Sequence, residues 1–341
     1  MVVQNTSTVL VGRYTRSSVP NDQLYSVNHL LLVIECSKFI MSAALEFYST
    51  KGQLWQSLQV HVLERPLDAL KILVPALLYL VQNTLLYVAL SNLTAPIFQV
   101  TYQGKLVTTA LVSVVMLQRR YSVQQWVCLV ALSLGVATVV LDKPDATKKD
   151  TDNVNTQNIA VGLVAVSIAC FSSALAGVYF EKVLKKPSSS TDHKAPPPAS
   201  LWMRNMQLAF FSVLIAYGQG VYHSLTEASP DEASKPYFHG FTTWAWILVG
   251  LQAGGGLLVA AVIKYADNVL KGLATGVSVV VATALSTILF GTPLSGQFSL
   301  GALMILASVY LFSNPLPSRF LPQCLKGAKE KEHEMNTLLP K

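Results

Sequence analysis

Apolar residues in this chain come in long blocks, without the alternation of a half-buried strand or the one-sided stripe of a soluble helix. The blocks lie at about 26–46, 69–90, 95–117, 124–141, 158–180, 201–222, 242–263, 272–290 and 298–314. Each is close to the roughly 17–25 residues that carry an α-helix across a bilayer. The pattern therefore predicts nine complete membrane spans. Ahead of them stands VVQNTSTVLVGRYTRSS, with only about eleven residues before Arg13. It has neither the positive n-region nor the small-residue cleavage site of a signal peptide, and it reads as the back end of a further span whose front is absent.

Composition sharpens this picture. Of 341 residues, 52% are hydrophobic and 13% charged, whereas about 25% of a soluble domain is charged. The fold class expected is all-α and integral to a membrane. The net charge of +7 could suggest nucleic acid, but its distribution argues for membrane orientation instead. Fifteen of the 25 lysines and arginines fall in the breaks at 51–68, 118–123, 182–199 and 264–271 and after 314, and only six in the intervening breaks. That is a positive-inside pattern. It places the 51–68 loop and the C-terminal tail in the cytosol, and no nucleic-acid partner is expected.

Three breaks are long. DKPDATKKDTDNVNTQ (142–157) divides the chain nearly in half, KKPSSSTDHKAPPPAS (185–200) is a Pro/Ser linker, and HSLTEASPDEASKPYFHG (223–240) is acidic and falls on the luminal or outer side. Cys36, Cys128, Cys170 and Cys324 show no CxxC spacing, so neither a disulfide framework nor a zinc site follows. The sequon Asn92-Leu-Thr94 lies too close to the bilayer to carry a glycan, while the accessibility of Asn5-Thr-Ser7 depends on the placement of the first segment.

Shifting the chain by 173 residues lays VTTALVSVVMLQRRYSVQQ on VVATALSTILFGTPLSGQF, matching Val107 with Val280, Ser113 with Ser286, Ser122 with Ser295 and Gln124 with Gln297. A repeat of five spans is odd-numbered, so its copies have opposite topology, as in alternating-access transporters. The expected organisation is a first repeat over 1–141 (helices 1–5, the first partial), a luminal connector over 142–157, a second repeat over 158–314 (helices 6–10) and a cytosolic tail over 315–341.

Polar residues inside the spans are the candidate chemistry, because an ion in hydrocarbon is costly and such groups face a wet cavity or a partner. Lys105 lies about ten residues into its block and shares its turn with Gln99, Tyr102 and Gln103. It has no acid nearby in sequence, so the cavity reading is preferred for it. Glu35 and Lys38, three apart, read either as a structural ion pair or as ligand groups. Tyr79, Gln82 and Asn83 form another polar turn, and Gln82, Asn83 and Gln99 could equally be interhelical hydrogen-bond glue. Arg204, Asn205 and Gln207 open the block at 201. Lys264, Asp267, Asn268 and Lys271 fill a short break, where the lysines could simply snorkel. As a set these groups are net cationic and rich in tyrosine, amide and hydroxyl, which suits an anionic ligand with a planar ring. There is no GxxxxGK[ST], HExxH or nucleophile elbow. No enzyme activity, cofactor or metal is expected.

The segments VPALLYLVQNTLLYVALSNLTAPIFQVTYQGKLVTTAL, GVYFEKVLKK, SLWMRNMQL and VIKYADNVLKGLATGVSVV resemble the Golgi nucleotide-sugar transporters of the drug/metabolite transporter superfamily. The resemblance runs from about residue 2 to 314. It implies ten helices in two inverted five-helix repeats with both ends cytosolic, a multi-pass Golgi location, and exchange of a cytosolic nucleotide sugar for luminal nucleoside monophosphate. It places the binding cavity on Glu35, Lys38, Tyr79, Asn83, Lys105, Ser173, Asn205 and Lys271. Thr275 and Ser278, within Lys271-Gly-Leu-Ala-Thr-Gly-Val-Ser278, match the UDP-sugar members, and Ala209 stands where CMP-sialic acid members have tyrosine. The implied substrates are UDP-galactose or UDP-N-acetylglucosamine, exchanged for UMP. The chain departs from the family at Gly104 (YQGK for YQLK), Thr84 (QNT for QNN) and Thr94 (SNLTA for SNLDA). The rival reading is a non-transporting membrane scaffold or regulator that holds Golgi glycosyltransferases. A second copy of the chain and such glycosyltransferases are the protein partners considered.

Overall fold

The structure is a computed structural model that describes residues 1–17, 24–141, 158–185, 199–226, 236–290 and 295–314. The expected connector at 142–157, nearly all of the 185–200 linker, part of the acidic 223–240 segment and the 315–341 tail lie outside the described residues. Among those described, every regular element is helical. They are α1 (Val2–Ser17), α2 (Val27–Ser49), α3 (Leu54–Leu58), a π-turn (Gln59–Leu63), α4 (Pro66–Leu70), α5 (Leu73–Asn92), α6 (Ala95–Tyr102), α7 (Lys105–Leu117), α8 (Val123–Leu141), α9 (Ile159–Leu184), α10 (Leu201–Thr226), α11 (Thr243–Tyr265), α12 (Asn268–Phe290) and α13 (Gly296–Ser313).

Seven helical stretches are long and apolar enough to cross a membrane, one of them joining α4 to α5 and another α6 to α7. The other expected spans are also helical but more polar or shorter. α2 carries Glu35, Lys38 and Glu46, α10 carries Arg204, Asn205 and Gln207, and α1 has 16 residues. At 1.5 Å per residue α1 is about 24 Å long, somewhat less than a hydrocarbon core of about 30 Å. It packs on α11 and α12: Gln4 donates to the Leu251 carbonyl at 3.1 Å and Thr6 to that of Ser278 at 3.4 Å, while Tyr14 meets Trp244 edge-on.

Elsewhere α2 packs on α10 and α11, α5 and α7 on α9, and α8 on α13. The largest apolar core, built on Ala110, Leu129, Leu132, Val139, Leu273 and Ile305, joins α7, α8, α12 and α13. α8 and α13 are held at both ends in the same manner. Gln124 donates to the Leu311 carbonyl at 2.6 Å, and Gln297 donates to the Thr138 carbonyl at 3.2 Å. Both donors and both acceptors are related by the 173-residue shift that aligns the two halves of the sequence. The hydroxyls of Ser122 and Ser295, another matched pair, accept from the backbone amides of Gln125 and Phe298, three residues on in each case. Between these ends Gly135 and Gly301 meet, and a Cβ at Gly301 would lie 2.8 Å from the Gly135 carbonyl oxygen.

A strap of short elements, α3, the π-turn and α4, covers the end of α2 and the start of α10. Ser57 donates to Glu46 at 2.6 Å, and Ser200 donates to the other oxygen of the same buried carboxylate. Arg204 pairs with Asp68 and donates to the Gln207 side-chain oxygen at 3.0 Å, while Gln207 donates to the His61 carbonyl at 3.1 Å. Arg204 and Gln207 thus hold the strap. On the opposite side Asn92 ties α5 to α9: its amide nitrogen donates to Val88 at 2.9 Å, and its side-chain oxygen accepts from the Asn158 backbone at 3.2 Å. Cys128 and Cys170 are buried and Cys36 is half-buried, all as free thiols.

Two outcomes are expected. Gly301→Val forces α8 from α13 and costs about 1–3 kcal/mol by overpacking, lowering the Tm of the purified protein. Gly220→Ala, with open space around its would-be Cβ, leaves it unchanged or raises it. Burial, followed by the positive field of Arg204, holds His61 below its ordinary value of 6.5. The unfolded chain then takes up the proton first, so stability falls as pH drops below about 6.5. His61→Gln flattens that dependence in Tm measured across this range.

Candidate functional site

The block at 95–117, expected as one helix, is two. At Gln103 and Gly104 the backbone amides bond three residues back, to Val100 at 3.2 Å and Thr101 at 3.0 Å, and Leu106 does the same to Gln103 at 3.3 Å. This tightened turn ends α6 and restarts the chain as α7 at Lys105. In such a turn side chains three apart eclipse one another, which brings Lys105 over Tyr102. The Lys105 ammonium donates to the Tyr102 hydroxyl at 3.2 Å and stands 5.3 Å from its ring centre.

Gln82 of α5 donates to the same hydroxyl at 3.3 Å. Tyr79 lies one turn earlier on α5. The sulfur of Cys170 on α9 lies 3.7 Å from the Tyr102 carbonyl, and Ser173 follows one turn on along the same face. Lys271 enters from the first turn of α12, where its neighbour Gly272 packs against Leu106, the neighbour of Lys105; a Cβ at Gly272 would lie 2.3 Å from the Leu106 side chain. Tyr79 and Lys271 are both half-buried. Among the described residues neither Lys105 nor Lys271 joins an ion pair within 4.0 Å.

Tyr79, Gln82, Tyr102, Lys105 and Lys271 therefore converge from α5, the α6–α7 break and α12. Thr275 and Ser278 continue the Lys271 face, with Thr275 exposed and Ser278 buried. Asn83, next to Gln82, is exposed, and Gln99 is half-buried on α6. Glu35 and Lys38 form a second group on α2, an ion pair of 2.6 Å. Lys38 lies across Gly256 of α11, where an added Cβ would meet its side chain at 2.6 Å. Asn205 is buried on α10. Lys264 is turned toward the ring of its neighbour Tyr265, 5.7 Å away at the end of α11, rather than toward the Tyr102 group.

Among the described residues several buried polar atoms have no hydrogen-bond partner: Glu35 Oε2, Gln82 Oε1, Asn205 Nδ2 and, on α1, Gln4 Oε1. Leaving such an atom unsatisfied costs about 1–3 kcal/mol, so these are places where a ligand or water completes the bonding. The arrangement can bind a dianion between two lysines and a planar ring among tyrosines and amides. Sequence reading missed Gln4, Cys170 and the ions around Glu181. Gln4 and Glu181 were visible only as polar residues near span ends, and the environment of Cys170 comes wholly from packing.

Residues 1–313 match the family model described as nucleotide-sugar transporter. The UDP-N-acetylglucosamine transporter of Homo sapiens is 40% identical over 93% of this chain and 94% of its own length. The UDP-galactose translocator of Mus musculus is 42% identical over 92% of this chain and 77% of its own length. One solved crystal structure aligns with a TM-score of 0.62 at 12% identity, covering 94% of this chain and 96% of that one. This last match is a likeness of fold.

Gln82→Met separates stability from recognition. It removes an amide whose oxygen has no partner in the protein, at similar volume, so Tm stays level or rises. Affinity for a bound nucleotide, measured by calorimetry, falls by up to about ten-fold, the equivalent of one hydrogen bond.

Proposed function

Because the chain belongs to the nucleotide-sugar transporter family, we propose that it carries UDP-galactose or UDP-N-acetylglucosamine into the Golgi lumen in exchange for UMP by alternating access. The protein is a multi-pass membrane transporter and not an enzyme. The uridine substrates are suggested by the relatives, whose names are UDP-N-acetylglucosamine transporter and UDP-galactose translocator.

The observation that carries the reading is the unpaired cationic pair, Lys105 and Lys271, beside Tyr79, Tyr102 and Gln82. Lysines bind phosphate as point charges, so these two meet the diphosphate. Tyr79 and Tyr102 offer faces to the uracil, and Gln82, Asn83 and Asn205 offer amides to its edge. The Glu35–Lys38 pair and the glycines of α11 flank the sugar, with Ser173, Thr275 and Ser278 supplying hydroxyls.

The same electrostatics accounts for exchange. With the site empty, Lys105 and Lys271 lack a counter-charge, and like charges brought together away from bulk water raise the cost of reorienting an unloaded carrier. UMP and a UDP-sugar share a uridine and a negative phosphate group, so either relieves that repulsion. The two-repeat organisation over 1–141 and 158–314 is supported by the reciprocal bonds of Gln124 and Gln297. Pairing at both membrane faces under one shift is what a two-fold axis in the membrane plane produces. Seven long apolar stretches together with α1, α2 and α10 are consistent with ten helices.

Proteoliposomes loaded with UMP and offered labelled UDP-sugar, with unlabelled nucleotide sugars as competitors, provide the test. The wild-type protein takes up label only when UMP is inside. Lys105→Ala and Lys271→Ala each reduce uptake by about 10- to 100-fold, the worth of a charge-assisted hydrogen bond. A folded wild-type protein without UMP-stimulated uptake returns the molecule to the scaffold reading.

A further inference from the structure

Arg119, between α7 and α8, holds two carboxylates at once. Its Nη2 lies 2.5 Å from Glu181 Oε1 and its Nη1 2.8 Å from Asp267 Oδ2. Glu181, in the last turn of α9, is fully buried. Its Oε1 also takes Lys185 at 2.8 Å, and its Oε2 accepts the Asn268 backbone amide at 3.1 Å. One turn earlier on α9, Gly177 admits the Asn268 side chain, which a Cβ would meet at 2.4 Å. The bend between α11 and α12 is thereby drawn onto the ends of α7 and α9.

Asp267 also caps α12. Its second carboxylate oxygen accepts the Leu270 amide at 2.6 Å, and its carbonyl accepts the amide of Lys271 at 3.1 Å. The turn that Arg119 grips through Asp267 therefore also carries Lys271, whose amide the Asp267 carbonyl accepts. The grip spans the chain's division, since Arg119 precedes residue 142 while Glu181 and Asp267 follow it. By the charge asymmetry of the loops, all three lie at the cytosolic end.

We propose that Arg119, Glu181 and Asp267 form a latch that closes the cytosolic end of the substrate path, and that it is coupled to nucleotide through the shared first turn of α12. The proposal rests on the transport reading above and adds positioning residues to it. A phosphate arriving at Lys271 pulls on the turn that Asp267 caps, and so on the carboxylate that Arg119 holds. The latch is poised to release: the Arg119 and Asp267 side chains are 24% and 19% exposed, so water can take them over as they part. Glu181 keeps Lys185 and the Asn268 amide when Arg119 leaves. An ion cluster that served stability alone would not respond to nucleotide.

The test uses the full chain with its four cysteines replaced by serine and spin labels placed through Arg120→Cys and Lys182→Cys, both exposed positions at that end. Double electron–electron resonance reads the distance between them in liposomes, with and without UMP. The labelled parent is expected to give mostly the short distance, with UMP changing the ratio of short to long. Arg119→Ala raises the long-distance population about five-fold or more, and Arg119→Lys, which can hold one carboxylate but not both, falls between. Should Arg119→Ala fail to fold, Asp267→Asn removes the pairing charge but retains a capping side chain, and it raises the long-distance population in the same way. Transport separates the roles further: the latch variants lose maximal exchange rate more than affinity for UMP. Distances that stay unchanged in a labelled parent that still exchanges, or that shift in the variants without any response to UMP in the parent, overturn the latch. Absence of exchange in the unlabelled wild-type protein overturns the transport reading instead, so the two failures are distinct.

Discussion

A charge placed away from bulk water must be answered by an opposite charge, by hydrogen bonds or by something that arrives later. This molecule answers its interior charges in two ways, and the division organises the structure. Glu46, Glu181 and Arg204 are buried and saturated by neighbours, and each ties together elements distant in sequence. Among the described residues Lys105 meets the Tyr102 hydroxyl, and neither it nor Lys271 has an acid within ion-pair distance. The saturated ions gather near the ends of α2 and α9 and the start of α10, and the unsaturated cations stand at the starts of α7 and α12.

Pairing both lysines with acids would have made the bundle more self-sufficient and less able to admit an anion. The chain belongs to the nucleotide-sugar transporter family, and under the proposed function incomplete satisfaction is what leaves room for a phosphate. The same holds for the unpaired atoms of Gln82, Asn205 and Glu35, whose cost is tolerable in a large helical body with several well-packed apolar clusters.

Much of the fold could be read from hydropathy, because a bilayer demands long apolar helices and little else produces them. The nine blocks all became helices. Hydropathy could not show the interruption at Gln103–Gly104, since both sides of it are equally apolar; only the departure from leucine at Gly104 hinted at it. Lys105 stood out because its cost does not depend on neighbours, and the resemblance to a known family added Ser173, Thr275 and Ser278. The roles of Arg204 and Arg119 were hidden for the converse reason. Their partners, Asp68, Glu181 and Asp267, are 62 to 148 residues away, so in one dimension Arg119 registered only as loop charge and Arg204 only as a polar residue opening a span.

The bonds of Gln124 and Gln297 end on backbone carbonyls rather than side chains. Those two bonds therefore do not depend on which side chains stand at Thr138 and Leu311. Tied near both ends, α8 and α13 resist sliding past each other along their length. In mechanical terms the pair is braced against axial shear.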